Sequence, residues 1–469
     1  MRLARYIMLP MLLSGCMVGP DYQRPEIPVV DDWHADVDYK SLEEPSLAEQ
    51  SWLSLFQDEQ LQNVVQQALQ SNRELLLAIE RIEEARALHR IDRAPLFPTL
   101  DLDLSVEREQ ESGLTNVDPV LDNEIFFGAS AGWELDLWGK NRRAGRAAYA
   151  RYLASEYGAQ AVRLTLIADT CQAYFGLQGI NARLGVNYDT LGAREESLVI
   201  AEKRFTGGLT SSLEVKQAEV EVATSRSSIP KVEQSKLVAE NELAVLMGLP
   251  PQHFTIKGEL DEQPLPSSIA AGLPSTLLER RPDIMQAEQE LVAASERVGV
   301  AKARLFPSIA LTGSYGTETT EFSDLLDSDG RYWILEVDVL MPLFNAGARR
   351  AELSAAESRF NQARLRYEQA VLEALQETSN ALNQFHKAGE TLEAELALQR
   401  ATSEYLALAT KRYRNGVLAY IDVLDAQRQL FDAQIAVSTA REIQLLALVD
   451  LYKALGGGWD PQALAELKE

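Results

Sequence analysis

Four stretches of the chain alternate between apolar and polar residues, the first of them strictly. They occupy 100–106, 127–137, 309–315 and 333–339. A period of two predicts β-strands with one apolar and one polar face. With the residues that flank the alternating stretches, each predicted strand has about 9–11 residues, the length that crosses a bilayer at a tilt of about 45°. A half-buried sheet in a soluble sandwich is the alternative that the strands alone leave open.

Two much longer stretches, 143–205 and 349–414, contain no proline. In the second, apolar residues recur at intervals of three and four with charges between them, as at Ala356, Phe360 and Ala363. This spacing predicts helices packed side by side over a long seam. Each would be nearly 100 Å long if it continued unbroken at about 1.5 Å per residue.

Shorter helical patterns flank the long ones. We expect helices at 59–91 and 278–305 before the strands, and at 211–247 and 419–455 after the long helices. Pro230 should kink the helix at 211–247 or mark a change of its packing partner. Three glycines in the first long stretch leave open a bundle of shorter, broken helices there: Gly176, Gly179 and Gly185.

The same elements occur twice in the same order. The residues at 93–98 recur at 302–307, an offset of 209, and those at 201–208 recur at 409–416, an offset of 208. Matches at a nearly constant offset across half the chain indicate a tandem duplication. Each copy runs helix, strand, strand, long helix, tip, helix.

The duplication divides the chain into segments. The stretch 248–275 is rich in proline and glycine, which predicts a linker or belt and not a helix. The full division is a signal peptide at 1–15, a lipidated segment at 16–57, a first repeat at 58–247 with a hairpin at 99–137 and a tip at 204–215, the equatorial linker at 248–275, a second repeat at 276–456 with a hairpin at 308–341 and a tip at 412–423, and a tail at 457–469.

The chain begins with the pattern of a lipoprotein signal peptide. Arg2 and Arg5 precede a short apolar run that ends in Leu-Ser-Gly before Cys16. The pattern predicts cleavage before Cys16, with a diacylglycerol on its thiol, an acyl chain on its amino group and a stable membrane anchor. Met17, in place of an acidic residue, favours sorting to the outer membrane. A free cysteine in an ordinary signal peptide is the alternative.

Charge and composition exclude several classes of function. The chain has 45 Lys and Arg against 70 Asp and Glu, a formal net charge of −25, which argues against nucleic-acid binding. Its four histidines lack the spacing of a metal site, and the sequence has no glycine-rich phosphate loop or nucleophile elbow. We therefore predict that the protein is not an enzyme and needs no metal or other cofactor. Cys171 is the one cysteine besides Cys16, so no disulfide framework is expected.

The predicted strands offer the route across a membrane, because no stretch after the signal peptide approaches the roughly 18 apolar residues of a spanning helix. Open sheet edges do not survive in lipid, and four strands cannot close a barrel, so the chain must oligomerise. Two copies would give a barrel filled by side chains, whereas three would give twelve strands and a pore. The polar stretches 111–124 and 317–330 would be the outward-facing connections.

Motifs spread over the whole mature chain resemble the outer-membrane efflux protein family. They lie at 16–25, 52–56, 280–284 and 416–427. The branch that they resemble is the lipoprotein branch that includes OprM and NodT and is related to TolC. The resemblance implies an α+β membrane protein of the outer membrane. In this fold a homotrimer shares a 12-stranded β-barrel, with four strands from each chain, on a long periplasmic α-helical barrel.

The same resemblance implies partners and a function. Such proteins passively conduct drugs or other small toxic compounds to the exterior. They work with a periplasmic adaptor, or membrane fusion protein, and an inner-membrane transporter, usually of the resistance-nodulation-division class. The exit duct of a type I protein-secretion system has the same fold and is one alternative, against which the lipoprotein pattern argues. A non-transporting envelope lipoprotein is another, against which the paired hairpins argue.

The second helix-turn-helix tip carries the predicted gate. By resemblance, Asp422 and Asp425 match acidic residues of the family's periplasmic gate, and Ile421 matches an apolar ring beside them. The two aspartates are three residues apart and share a helix face, so each would form a ring of three carboxylates in a trimer. A solvated acidic helix start, favoured by the helix dipole, is the alternative.

Contacts between the tips are also implied by the resemblance. Tyr413 matches a tyrosine that in TolC bonds an acidic residue of the neighbouring tip, here Glu214. Leu418 replaces the arginine of TolC's second link, so we expect the closed state to depend less on ions and more on apolar contact at Ile421. Ordinary loop polarity is the alternative to an adaptor-docking role for the turns. The residues expected to dock the adaptor are Gly208, Leu209, Gly416 and Val417.

Overall fold

The structure is a computed structural model that describes 17–27, 32–34, 47, 52–110, 112, 114, 121–256, 260, 263 and 274–457. The predicted signal peptide, Cys16, most of the predicted linker and nearly all of the predicted tail lie outside the described residues. The helices and strands are α1 (Glu59–Ser71), α2 (Arg73–Arg93), β1 (Thr99–Gln110), β2 (Leu121–Glu134), α3 (Lys140–Thr206), α4 (Ser212–Leu246), α5 (Pro282–Ala303), β3 (Ser308–Thr319), β4 (Arg331–Leu340), α6 (Ala348–Arg414) and α7 (Tyr420–Ala454), with single helical turns at Trp52–Leu55 and Leu277–Arg280.

The four strands form one antiparallel sheet in the order β1-β2-β3-β4. This result confirms the four strands, but the bounds of the connections at 111–124 and 317–330 were wrong. β2 already begins at Leu121, and β3 continues to Thr319. Backbone pairing does not depend on apolar side chains, so both hairpins continue beyond the apolar band. β1 and β4 are the edges of the sheet.

The long helices α3 and α6 each have 67 residues without a break. The alternative of shorter, broken helices in the first repeat is therefore wrong. Gly179 instead makes room for a neighbour, because a Cβ there would overlap the carboxylate of Glu442, which forms an ion pair with Arg183. Pro230 lies within α4, which the structure assigns as one helix.

The predicted helix at 59–91 is wrong as a single element, because it is interrupted at Asn72. The backbone of Asn72 is extended, with φ −64° and ψ 128°. Its side-chain oxygen accepts the N–H groups of Glu74 and Leu75 at 2.9 and 3.1 Å. Asn72 thus provides the N-cap of α2, and asparagine is among the residues that satisfy the open N–H groups of a first turn best.

The predicted helix at 278–305 is interrupted in the same way, at Arg281. The next residue, Pro282, has no N–H and restricts the residue before it to extended conformations. Arg281 accordingly has φ −80° and ψ 120°, and α5 begins at Pro282. Proline is well suited to the first position of a helix, where its missing N–H costs nothing.

The described residues fall into two compact units. One comprises 17–27, Arg81–Glu156 and Gln286–Gln369 and contains the sheet. The other contains both helix tips and takes up the remainder of the described chain. No helix within the described ranges has an apolar stretch long enough to cross a bilayer.

The N-terminal segment 17–27 has neither helix nor strand and lies against the unit that contains the sheet. Its Arg24 binds both carboxylate oxygens of Glu288 on α5, each at 2.7 Å. Tyr22 donates a further hydrogen bond of 2.9 Å to the same carboxylate. Glu288 is therefore one of the residues that fix the segment to this unit.

Candidate functional site

The two helix-turn-helix tips have the same backbone turn. Gly208 and Gly416 adopt φ of 71° and 75°, a left-handed conformation that glycine reaches without steric cost. Each donates its N–H, at 2.9 Å, to a carbonyl three residues earlier. The following residues, Leu209 and Val417, are 73% and 64% exposed. The turns therefore present one large apolar side chain each to the solvent.

The predicted gate residues lie at the start of α7. Val423 and Leu424 are buried, whereas Ile421 and Asp425 are exposed and Asp422 is half-buried. The structure thus places Ile421, Asp422 and Asp425 on the side of α7 that is not packed within the chain. Their common face is the arrangement that a ring around a symmetry axis needs.

Tyr413 at the end of α6 contacts the first tip. Its hydroxyl donates a hydrogen bond of 2.9 Å to Glu214 on α4. The guanidinium of Arg204 on α3 lies over the tyrosine ring, 4.5 Å from its centre. Burial, and then the carboxylate of Glu214, raises the pKa of Tyr413 to about 12. The contact that the resemblance implied is present within one chain, and its role in gating stays a prediction.

A second polar contact lies farther along the same helices and was not predicted from the sequence. Glu221 of α4 is 4% exposed, and its carboxylate is held between two arginines. Arg194 of α3 approaches it at 3.2 Å, and Arg428 of α7 donates from Nε at 3.0 Å. Arg194 also donates to Ser225 at 2.9 Å. Burial lowers the pKa of Arg194, whereas the bond to Glu221 raises that of Arg428.

The two contacts form successive layers between the repeats. Glu214 and Glu221 are seven residues apart and therefore lie on the same face of α4, two turns from each other. Each layer joins α3 and α4 of the first repeat to α6 or α7 of the second. From Leu418 we predicted that the closed state depends less on ions and more on apolar contact, and that prediction did not include the second layer. Its only signal in the sequence is the seven-residue spacing of the glutamates, which resembles a solvated helix face.

Small residues allow the four tip helices to approach closely. The layers lie beside a buried cluster in which alanines alternate with larger side chains, and such packing holds helices near one another. Within the described part of the chain, no three His, Cys, Asp or Glu side chains are grouped so as to hold a metal ion. The cluster comprises Ala201, Ala218, Ala409, Tyr413, Tyr420, Val423, Leu424 and Ala426.

The fold is that of known outer-membrane channels. The structure of the outer-membrane channel OprN is similar to this chain with a TM-score of 0.89 and 31% identity, covering 95% of this chain and 100% of that chain. A mostly helical chain with one four-stranded sheet is thus the TolC-like channel fold. Such channels lie in the outer membrane and have a long periplasmic helical part.

Comparison of sequences gives the same class. The family described as outer membrane efflux protein matches residues 64–249 and 273–457. The antibiotic efflux pump outer membrane protein ArpC of Pseudomonas putida is 36% identical over 96% of this chain and 94% of its own length. The cation efflux system protein CusC of Escherichia coli is 32% identical over 95% of this chain and 96% of its own length.

The chain belongs to the outer membrane efflux protein family and is the outer-membrane channel component of an efflux pump. Proteins of this family are channels, not enzymes, and use no cofactor. None of the relatives compared favours the alternatives of a protein-secretion duct or a non-transporting lipoprotein.

Proposed function

We propose that three copies of this chain form a duct that completes a tripartite pump with a periplasmic adaptor and an inner-membrane transporter of the resistance-nodulation-division class. The observation that carries the proposal is the open sheet, whose edges β1 and β4 both present exposed apolar side chains. Such edges require partners in lipid. Three sheets of four strands would close around a pore, which suits passive conduction.

An acylated Cys16 would add an anchor beside the sheet. The backbone N–H of Val18 donates to the carbonyl of Trp138 at 3.2 Å. Met17 packs so closely on Gly139 that a Cβ on this glycine would overlap it. Both contacts lie where the chain passes from β2 to α3. The residue after Cys16 is therefore held next to the end of the sheet, a suitable place for acyl chains in the same membrane leaflet.

The start of α7 would form the periplasmic gate. In a trimer, Asp422 and Asp425 would each contribute three carboxylates to rings around the axis, with Ile421 forming an apolar ring beside them. Like charges in a narrow opening raise the local concentration of cations and repel anions. The layers at Glu214 and Glu221 would hold the gate helix of each chain against its first tip and so favour the closed state.

The exposed turns would dock the adaptor. Leu209 and Val417 are large apolar side chains in the solvent at the end of each helix pair, and exposed apolar patches commonly mark sites of protein contact. Gly208 and Gly416 keep both turns tight, so that an adaptor meets two similar backbones.

The cargo would be set mainly by the transporter. One relative is named for antibiotics and another for cations, although both are similar to this chain over nearly its whole length. We propose drugs or other small toxic compounds as cargo, with the duct itself conducting them passively.

Reconstitution of the purified, acylated protein tests this function directly. We expect trimers by native mass spectrometry and discrete, cation-preferring conductance steps in planar bilayers. In a strain that lacks its own duct, co-expression with the cognate adaptor and transporter should restore resistance to the pump's substrates. A protein that stays monomeric in detergent and gives no conductance would overturn the proposal.

A further inference from the structure

The sheet contains one strand pairing that joins the two repeats. β2, the last strand of the first repeat, pairs with β3, the first strand of the second repeat. The outer strands β4 and β1 are also a last and a first strand, and they are the two edges. In a ring of copies, β4 of one chain would meet β1 of the next, which is the same kind of pairing. The pairing of β2 with β3 is called the internal seam below. It is therefore a template for the pairing of β4 with β1 between copies.

The hairpins fix how positions in one repeat correspond to positions in the other. β1 begins at Thr99 and β3 at Ser308, each after a Phe-Pro pair, and both strands have 12 residues, so their offset is 209. Thr99 pairs with Gly132, and Ser308 pairs with Leu340, so the offset from β2 to β4 is 208.

These offsets convert the internal pairs into pairs between copies. Inside the chain, Ala129 pairs with Tyr315. Adding 208 to 129 and subtracting 209 from 315 places Val337 opposite Val106 of the neighbouring copy. In the same way, the pair of Ala131 with Gly313 becomes Val339 opposite Leu104, and the pair of Phe127 with Thr317 becomes Leu335 opposite Arg108.

The faces of the strands distinguish this register from one shifted by a single residue. Directly opposed residues in a sheet point to the same face. Val337 and Val106 are 64% and 59% exposed, and both belong to the apolar face of their strands. A shift by one residue would set Val337 against Ser105 or Glu107 and so oppose apolar to polar positions. The offsets were taken from other pairs, and they set apolar opposite apolar residues at Val337 and Val339, whereas Leu335 meets Arg108 near the end of β1.

The same template predicts one backbone hydrogen bond just beyond the strands. Leu135 donates its N–H to the carbonyl of Ile309 at 2.8 Å, which extends the internal seam past β2. By the same offsets, the corresponding donor is the backbone N–H of Leu343, and the corresponding acceptor is the carbonyl of Leu100 of the neighbouring copy. On the polar face, the register sets Glu336 opposite Glu107 of the neighbour, where water screens like charges.

We propose that neighbouring copies pair β4 with β1 in the register that sets Val337 opposite Val106. This inference rests on the proposed trimer and adds to it the residues that meet at the seam. The partner is a second copy of this chain, recognised by continued backbone pairing and by two apolar faces in phase.

Cysteine cross-linking in the purified protein tests the register. Opposed Cα atoms lie about 4.5–5.5 Å apart, within the range of a disulfide, whereas diagonal neighbours are about 7–8 Å apart. In a Cys171→Ala background, the double variant Val106→Cys with Val337→Cys should give covalent dimers and trimers on mild oxidation. The off-register controls pair Val337→Cys with Leu104→Cys or with Arg108→Cys and should cross-link at least about tenfold more slowly.

Two further measurements distinguish an error in the register from an error in the proposed trimer. The pair Ala129→Cys with Tyr315→Cys lies on the internal seam and should form a disulfide within one chain, which shows that oxidation reaches such positions. Native mass spectrometry of each variant reports the trimer. Trimers in which an off-register pair cross-links fastest would overturn the register and leave the proposed trimer intact. An absence of trimers in every variant and in the unmodified protein would overturn both.

Discussion

Asn72 and Arg281, which lie at equivalent places in the two repeats, both donate a hydrogen bond to the end of the last helix of their repeat. Asn72 Nδ2 donates to the carbonyl of Leu246 at 3.0 Å, and Arg281 Nη1 donates to the carbonyl of Ala454 at 3.2 Å. The last carbonyls of a helix have no partner within it, and these side chains supply donors to them. The hydroxyl of Thr378 also donates to the carbonyl of Ala454, at 3.1 Å. Each helix break is thereby tied to the helix that closes its repeat.

Replacing Asn72 tests the importance of this tie. Asn72→Ala removes the cap of α2 and the donor to Leu246, and we expect a loss of roughly 1–3 kcal/mol in folding free energy. The measurement is the temperature at which the trimer dissociates and unfolds in detergent. Asn72→Asp keeps the cap and loses the donor, so its melting temperature should lie between those of the wild type and Asn72→Ala. Equal melting temperatures for wild type and Asn72→Ala would contradict this account.

Removing the acidic rings should open the proposed gate. The double variant Asp422→Ala with Asp425→Ala removes six carboxylates from the opening of a trimer. We expect higher single-channel conductance, because alanine is smaller than aspartate and widens the opening. Cation preference should weaken, because the carboxylates no longer attract cations. The readout is conductance and reversal potential in planar bilayers under a salt gradient. Unchanged values of both would show that the gate lies elsewhere.

The buried layer at Glu221 should control how often the gate opens. Arg428→Gln removes one of its two arginines and leaves a buried carboxylate less well compensated, which weakens the hold on α7. We expect a higher open probability and leakage of vancomycin-sized antibiotics into cells. The matched control is Arg226→Gln, which breaks an exposed ion pair between α4 and Glu195 of α3. If both variants behave alike, the layer has no part in gating.

The hydroxyl of Tyr413 should lose its proton at a higher pH than an ordinary tyrosine does. Its pKa is raised to about 12, from an ordinary value of about 10, so the neutral phenol and its bond to Glu214 persist above pH 10. The stability that this bond adds is complete below pH 10 and is lost as the pH rises through about 12. The test is the difference in phenolate absorbance between wild type and Tyr413→Phe. Glu214→Gln should lower the pKa, and titration near 10 in the wild type would contradict the contact.

Cys16 should be the sole site of acylation. Cys16→Ser should abolish incorporation of radioactive palmitate, because serine lacks the thiol that the lipid transferase modifies. Cys171→Ala serves as the control and should be labelled like the wild type, since Cys171 is a buried free thiol. A Cys16→Ser protein that still carries label would rule out this anchor.

The elements were predictable from the sequence because each has a strong local signal. Alternation located the strands, and the absence of proline located α3 and α6 to within a few residues of their bounds. The breaks at Asn72 and Arg281 were missed for different reasons. Asn72 gives a weaker signal than a proline, and its bond to the carbonyl of Leu246 joins residues 174 positions apart in the sequence. Pro282 was a visible signal, since proline stops the preceding residue from being helical.

The site was only half predictable. Positive φ at Gly208 and Gly416 and the exposed face of α7 follow from local sequence. The layer at Glu221 requires that charges on three helices converge in space, and periodicity does not distinguish a buried carboxylate from a solvated one. The layer at Glu221 can be recognised only from the burial of its carboxylate, which depends on the folded chain.

The two layers are present only once per chain. At the positions equivalent to Tyr413, Arg428 and Glu221, the other half of the duplication has Phe205, Val220 and Gln429, which offer neither the phenol, the cation nor the carboxylate. In a ring of alternating halves, stiff joints inside each copy would therefore alternate with compliant joints between copies. Such a ring is not equally stiff all the way round. A force applied at its end would move each copy as a rigid body, and the ring would open at the interfaces between subunits.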